Sequence, residues 1–190
     1  EKGKIQSIGN KVKISDASKS ADIIDLKGNI AIPGIVDMKA FVGEPGFEYK
    51  ENFRTLSQAA LSGGVTSIVT MPNTKPIIDN VSMVDFIIRR GRDKAKVNLF
   101  PCASITRQIE GEQMTEFGLL KARGIIGFSD VNKTIQNTDL MSRIMNYASD
   151  IDVLIMQHVE DYELSKNSCI NEGEIATRLG LQGVSYIAEK

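Results

Sequence analysis

The chain has 190 residues, of which 42% are hydrophobic and 25% are charged, and its formal net charge is -1. This composition is typical of a globular protein. The near-neutral charge gives no electrostatic reason to expect binding to nucleic acid or to a membrane surface. The apolar runs fall far short of the roughly 20 residues that a membrane-spanning helix needs. Cys102 and Cys169 lack metal-type spacing, so we expect reduced thiols in a cytoplasmic protein.

The first 32 residues are predicted to be rich in β-structure. Short strands are predicted at residues 4–8, 11–14 and 23–26, separated by Gly9-Asn10, a polar linker and Gly28-Asn29. Pro33-Gly34 then interrupts the chain. The pattern predicts a small β-rich unit ahead of a second unit with a different organisation.

Beyond Pro33, apolar runs alternate with amphipathic stretches. In chain order the pattern predicts strand 35–38, helix 52–61, strand 65–71, helix 82–90, strand 97–103, helix 114–122, strand 125–128, helix 138–148 and strand 153–156. Ser82 and Thr138 are the predicted caps of the second and fourth helices.

Strands alternating with helices predict a series of right-handed βαβ units, and therefore an α/β fold. Two architectures remain open on the pattern alone, an open doubly wound sheet and a (β/α)₈ barrel. Five strands would complete an open sheet and leave a barrel unfinished. The chain starts at Glu1 without Met and ends directly after an apolar stretch, so we expect a piece of a longer protein.

In both architectures, functional residues collect where the parallel strands end at their carboxyl side. The polar residues at those positions are therefore the candidates for a site. They lie in residues 39–46, 73–74, 104–107, 129–130 and 158–161.

Six segments in a fixed order resemble the bacterial dihydroorotases, type I-like members of the amidohydrolase superfamily. The segments are IPGIVDM (32–38), GEPGFEYKE (43–51), MPNTKP (71–76), GFSD (127–130), HVED (158–161) and NEGEIATRLGLQG (171–183). The resemblance extends from about Gly28 to the last residue. It implies a distorted (β/α)₈ TIM barrel with a small β-sandwich built from both chain ends. Residues 1–32 would then be the N-terminal part of the sandwich. Residues 33–190 would be about the first five βα units of the barrel, without its C-terminal part.

The resemblance also implies an activity and a metal site. The family interconverts dihydroorotate and N-carbamoyl-L-aspartate in de novo pyrimidine biosynthesis, with zinc polarising the amide and activating a water. The expected ligands are a His-x-His pair ending the first strand, a carboxylate from the fourth strand, histidines ending the fifth and sixth strands, and an aspartate ending the eighth.

Three positions of this expected site are lost in the first-strand segment. Lys39 and Phe41 occupy the His-x-His positions, and Gly43 occupies the position of an arginine that would hold the substrate carboxylate. Phe41 has no donor atom, and a Lys39 ammonium repels a dication. We therefore expect no bound cofactor, with zinc present only if the protein is active. We also predict that the Lys39 ammonium takes the vacated metal position and pairs with Asp130.

Three other family positions are retained. Asp130 matches the strand-four ligand, His158 the strand-five ligand, and Asn73 an asparagine that contacts substrate. Plainer alternatives stand beside these assignments. Asp130 and Asn73 suit turns, His158 suits a hydrogen-bonded remnant of the site, and Lys39 suits an outward-pointing surface residue.

The predicted function is that of a non-catalytic dihydroorotase homologue, a homo-oligomer that assembles as a structural partner with aspartate carbamoyltransferase, as family members without the histidine pair do. The alternative is an active cyclic amidohydrolase with a reduced metal site made by Asp130, His158 and ligands beyond Lys190. A third reading is a module that binds dihydroorotate or carbamoyl aspartate without chemistry.

Overall fold

The computed structural model describes residues 4–5, 7–9 and 22–189. The chain divides into two compact units, Glu1–Pro33 and Gly34–Lys190. In the first unit the predicted strand 23–26 is wrong, because these residues are extended coil with Ile23 69% and Ile24 81% exposed. A strand requires a hydrogen-bonded neighbour, and the described part of this unit offers none. The described residues of predicted strand 4–8 also form no strand, and residues 11–14 lie outside the described part. Their sandwich assignment stays a prediction.

The second unit has the predicted alternation of strands and helices. In chain order its elements are β1 (Ile35–Ala40), α1 (Phe53–Ser62), β2 (Val65–Thr70), α2 (Val81–Lys94), β3 (Asn98–Pro101), α3 (Phe117–Ala122), β4 (Gly127–Phe128), α4 (Thr138–Asp150), β5 (Leu154–Ile155), α5 (Tyr162–Ser165), β6 (Ile170–Asn171), α6 (Glu174–Leu179) and β7 (Gly183–Val184). Short 3₁₀ turns cover Arg107–Ile109 and Tyr186–Glu189. Within the described residues, no helix is long and apolar enough to cross a membrane.

The first five strands follow one another in space as they do along the chain. Strands β1, β2 and β3 form a parallel sheet in that order, and β4 pairs in parallel with β5. A parallel bridge between Ala103 and Phe128 joins the two groups, with the Ser129 amide donating to the Ala103 carbonyl at 2.9 Å. This unbroken order is that of a barrel, since an open doubly wound sheet reverses its strand order at a switch point.

Among the four helices α1 to α4, three have an asparagine as their N-cap, namely α1, α2 and α4. The Asn80 side chain accepts from the Met83 amide at 3.1 Å, and the Asn137 side chain accepts from the Leu140 amide at 3.0 Å. The predicted caps are therefore wrong: Ser82 lies two residues after the observed cap, and Thr138 lies one residue after it. Both lie inside the first turn, where an earlier residue already satisfies the free amide.

Two apolar clusters lie on opposite faces of the sheet. The helix-side cluster joins α1 to α4 with the strands and contains Phe117 stacked on Phe128, with ring centroids 3.8 Å apart. The inner cluster takes no residue from any helix and comprises Val69, Met71, Cys102, Ile109 and Val131. Its members lie near or just beyond the carboxyl ends of β2, β3 and β4. The inner cluster therefore marks the barrel-side surface where the predicted site residues end their strands.

Candidate functional site

Lys39 connects the end of β1 with the segment that follows β4. Its Nζ donates to the Val131 carbonyl at 3.4 Å and to Asn132 Oδ1 at 3.2 Å. Strands β1 and β4 are not neighbours in the sheet, so this contact spans the strand ends from inside. The ammonium has two acceptors, so the alternative of a lysine without a partner is wrong.

The predicted pairing of Lys39 with Asp130 is also wrong. No ion pair joins them in the part of the chain that the structure describes. Asp130 Oδ1 instead accepts from the Ile105 amide at 2.8 Å and the Thr106 amide at 3.0 Å, and Oδ2 accepts from the Thr106 hydroxyl. Asp130 therefore binds the loop after β3, while Lys39 contacts the two residues that follow Asp130.

Asp130 is a buried carboxylate, 2% exposed, with its two oxygens occupied by three donors. Burial raises the pKa of the Asp130 carboxyl, and the hydrogen bonds from Thr106 and Ile105 together with the Lys133 charge offset only part of that rise. The group holds the loop after β3 in place. This structural role resembles the alternative in which Asp130 is a turn residue, except that the carboxylate fixes a neighbouring loop and not its own.

Val131 takes the inward position next to Asp130. Its side chain is 8% exposed and belongs to the inner cluster, and its backbone φ is +61°. A β-branched residue in the left-handed region is unusual and is held there by its surroundings. An apolar side chain therefore lies on the inner face, where the Lys39 ammonium also arrives.

His158 is hydrogen-bonded locally at the end of β5. Its Nε2 lies 2.8 Å from Glu160 Oε2, and its carbonyl accepts from the Thr134 hydroxyl at 2.7 Å. Hydrogen bonds from Ser165 and His158 lower the pKa of Glu160. The imidazole therefore has a carboxylate partner two residues away. Asp161, which follows Glu160, caps α5 by accepting from the Leu164 amide.

Four buried polar atoms at the carboxyl ends of the strands have no hydrogen-bond partner within the described residues. They are Thr70 Oγ1 at the end of β2, Asn73 Oδ1 after it, Ser104 Oγ after β3 and Gln157 Oε1 after β5. An unsatisfied buried acceptor costs about 1–3 kcal/mol, so such atoms favour a donor supplied by something else. Asn73 lies in a loop, but its side-chain oxygen makes no hydrogen bond that would stabilise a turn.

Gly43 adopts a conformation built for glycine. Its φ is +73°, and a Cβ there would lie 2.6 Å from the Glu51 carbonyl oxygen and 2.9 Å from that of Phe47. An arginine does not fit this backbone without movement of the loop that follows β1. The backbone at this position therefore opposes a side chain of any kind, including the arginine that the family resemblance implies.

The described residues do not fit a zinc centre. Among them, no group of three or more His, Cys, Asp or Glu side chains is placed to hold a metal ion. The structure brings Lys39 to the residues after Asp130, yet it does not bring Asp130 and His158 together as ligands. Their assignment as residual ligand positions stays a prediction.

Sequence reasoning missed several residues that shape this site. Ile109 belongs to the inner cluster, and Lys133 Nζ donates to the Ile109 carbonyl. One signal was present in the sequence, since Ile109 is an isolated apolar residue in a polar loop.

A parallel β/α series in sequential order, with its polar residues at the carboxyl strand ends, defines the class of barrel-type α/β proteins. A family model described as "Dihydro-orotase-like" matches residues 28–190. The chain belongs to this dihydroorotase-like family, as the sequence motifs predicted.

Individual relatives agree with the family model. The chain is 44% identical over 189 residues to a protein named dihydroorotase from Syntrophus aciditrophicus, covering 100% of this chain and 44% of that relative. It is 38% identical over 189 residues to one of the same name from Trichlorobacter lovleyi, again covering 100% of this chain and 44% of the relative. The chain therefore spans less than half the length of these relatives.

Solved structures share the fold. The L-hydantoinase (dihydropyrimidinase) of Arthrobacter aurescens matches with a TM-score of 0.69 at 19% identity, covering 80% of this chain and 34% of that one. Dihydroorotase of Saccharomyces cerevisiae, solved in complex with 5-fluoroorotic acid, matches with a TM-score of 0.52 at 14% identity, covering 77% and 41%. The predicted α/β class and barrel-type fold are thereby confirmed for the part of the chain that these matches cover.

Proposed function

We propose that the full-length protein is a non-catalytic member of the dihydroorotase family and serves as a structural partner of aspartate carbamoyltransferase. The observation that carries the first half is the Lys39 ammonium, which donates to Val131 and Asn132 at the inner face of the strand ends. A positive charge fixed at this place repels a metal cation, and Phe41 supplies no ligand atom in compensation.

The engagement of Asp130 supports the same proposal. Catalytic zinc sites use about three protein ligands and one open position. Asp130 already accepts three hydrogen bonds from β3 and its loop, and withdrawing it would leave two backbone amides unpaired. The inward neighbour, Val131, has no ligand atom in its side chain.

The test is zinc content and turnover measured on one sample of the full-length protein. We expect substoichiometric zinc and no cyclisation of carbamoyl aspartate above the rate of a blank. A Lys39→His/Phe41→His variant is the matched comparison and keeps Gly43, since an arginine does not fit that backbone. Zinc uptake by the variant alone would assign the loss to the first strand. Tight zinc binding with ring opening by the native protein would overturn the proposal.

The assembly half has its own test. Co-expressed aspartate carbamoyltransferase from the same organism is expected to elute with the full-length protein in size-exclusion chromatography. The Lys39→His/Phe41→His variant is expected to assemble equally well, because a scaffold needs no chemistry at the strand ends. Separate elution of the two proteins at micromolar concentration would remove the partner from the proposal and leave the catalytic question untouched.

A second candidate is an active cyclic amidohydrolase with a reduced metal site. The observation in its favour is retention of Asp130 and His158 in a chain 44% identical to a relative named dihydroorotase. The zinc and cyclisation measurements decide between the two candidates.

A pocket that binds without chemistry is the third candidate. The unpaired Asn73 Oδ1 and Ser104 Oγ favour it, since both are buried oxygens without a partner among the described residues. Dihydroorotate or carbamoyl aspartate would then raise the melting temperature, because a ligand of the folded state stabilises that state. No shift at millimolar ligand would count against this candidate.

A further inference from the structure

The loop after β3 places one apolar side chain in the inner cluster. Ile109 is 6% exposed, while its neighbours Gln108 and Glu110 are exposed. It packs in the cluster that contains Met71, Cys102 and Val131. The loop thus turns back over the strand ends and fills the inner face with its own side chain.

The backbone of this loop is held in an unusual conformation. Gln108 has a φ of +52° and Ile109 a φ of +57°. Residues other than glycine rarely adopt this region, and β-branched residues least of all. Two such residues in succession require contacts elsewhere that keep the loop in place.

Those contacts come from the end of β4. Asp130 binds the Thr106 hydroxyl, which in turn accepts from the Gly111 amide at 2.9 Å. Lys133 Nζ donates to the Ile109 carbonyl at 2.9 Å. The segment after β4 therefore fastens the loop at its start and at its tip, and the loop's own Thr106 fastens it near its end.

A further tether comes from the loop after β2. The backbone amide and the side-chain amide of Gln108 both donate to Asp79 Oδ2, at 3.2 and 2.7 Å. This carboxylate holds the residue next to Ile109 from the side opposite β4. Tethers from two different strand ends fix the loop over the cluster between them.

We infer that residues 105–113, called here the plug loop, form an intramolecular plug, with Ile109 as its stopper and Asp130, Thr106 and Lys133 as its anchors. A small molecule that enters the inner face of the strand ends must first displace this loop. The inference goes beyond the proposed function, because it concerns an opening equilibrium that exists with or without metal, turnover or partner.

Cys102 is a built-in reporter of that opening. Its thiol is fully buried in the cluster that Ile109 covers and donates to the Gly127 carbonyl at 3.1 Å. Burial, and secondarily the Asp130 charge, raises the pKa of this thiol and so suppresses alkylation of the closed state. Cys169 is exposed and free, and it provides a reference in the same sample.

The experiment follows N-ethylmaleimide modification of Cys102 in the native full-length protein by peptide mass spectrometry. Ile109→Ala is expected to speed the labelling of Cys102 by about tenfold or more, because truncating the stopper favours local opening. The matched control is Ile135→Ala, which truncates an isoleucine 5% exposed in the helix-side cluster. It is expected to leave the labelling close to the native rate.

A second variant keeps the inference falsifiable if Ile109→Ala does not fold. Thr106→Val removes the anchor hydroxyl with little change in shape and no change in charge, and it should also accelerate Cys102 labelling. Cys102 labelling in the plug-loop variants no faster than in Ile135→Ala would overturn the inference. Labelling of Cys102 at the Cys169 rate in the unmodified protein would overturn it as well.

Discussion

Replacing Gly43 by alanine tests whether the loop after β1 has been rebuilt around glycine. The residue has a φ of +73°, and an added Cβ would meet the Glu51 carbonyl oxygen at 2.6 Å and that of Phe47 at 2.9 Å. The Gly43 carbonyl also accepts from the Phe47 amide, at 2.6 Å, so the loop cannot rotate away without losing a hydrogen bond. The substitution therefore strains the backbone and crowds it at once.

The magnitude follows from three terms. A non-glycine residue in the left-handed region costs about 1–2 kcal/mol. Alanine returns about 0.4–1 kcal/mol by restricting the unfolded chain. Crowding against two carbonyl oxygens adds roughly 1–3 kcal/mol, the usual range for overpacking. We expect a net loss of about 2–3 kcal/mol in the free energy of unfolding.

The assay is urea denaturation at equilibrium, with Gly64→Ala as the control. Gly64 has a φ of +77° and has nothing within 4 Å of its ideal Cβ position. Alanine at this position has the backbone strain without the crowding, so Gly64→Ala should lower the free energy of unfolding by about 1 kcal/mol or less. Equal losses at the two positions would refute the reasoning. They would also reopen the Gly43→Arg substitution as a way to restore the family's arginine.

Three further predictions concern side-chain oxygens that accept hydrogen bonds from backbone amides. Glu44→Ala should lower the free energy of unfolding by about 1–3 kcal/mol in urea titrations, because its carboxylate accepts from the Phe53 amide at 3.1 Å and from Arg90 Nε at 2.5 Å. Asn52→Ala should cost about 1 kcal/mol by the same measurement, since its side chain caps α1, and a cost below experimental error would contradict the role. Burial raises the pKa of Asp130 in the folded state, so folding favours the protonated carboxyl. Its contribution to stability must then grow as pH falls from the folded pKa toward the unfolded value of about 3.9. The difference in stability between the native protein and Asp130→Asn should move in favour of the native protein over that window, and movement in the opposite direction would show that the hydrogen bonds outweigh burial.

The main elements of the second unit were predictable from sequence because their signals are local. Periodicity located α1 to α4 and β1 to β5 to within a few residues of their bounds. Elements α5, α6, β6 and β7 were missed. They are only two to six residues long, too short for a hydrophobic period to show.

The sandwich strand at residues 23–26 failed for a different reason. Its β-branched residues favour a strand, yet Ile23 and Ile24 are exposed and form no strand pairing with any described residue. Strand propensity is realised only through pairing and burial against other strands. A local pattern therefore predicted a structure that depends on a partner.

The sequence by itself determined the family, the order of the βα units and the absence of histidine at positions 39 and 41, because family motifs and side-chain chemistry belong to single residues. Only the tertiary structure decided that Lys39 meets Asn132, that Asp130 turns toward β3, and that Ile109 closes the inner face. These contacts join residues far apart in the chain. Which atoms meet there depends on sheet register and on backbone angles such as the φ of +61° at Val131, and no local pattern encodes either.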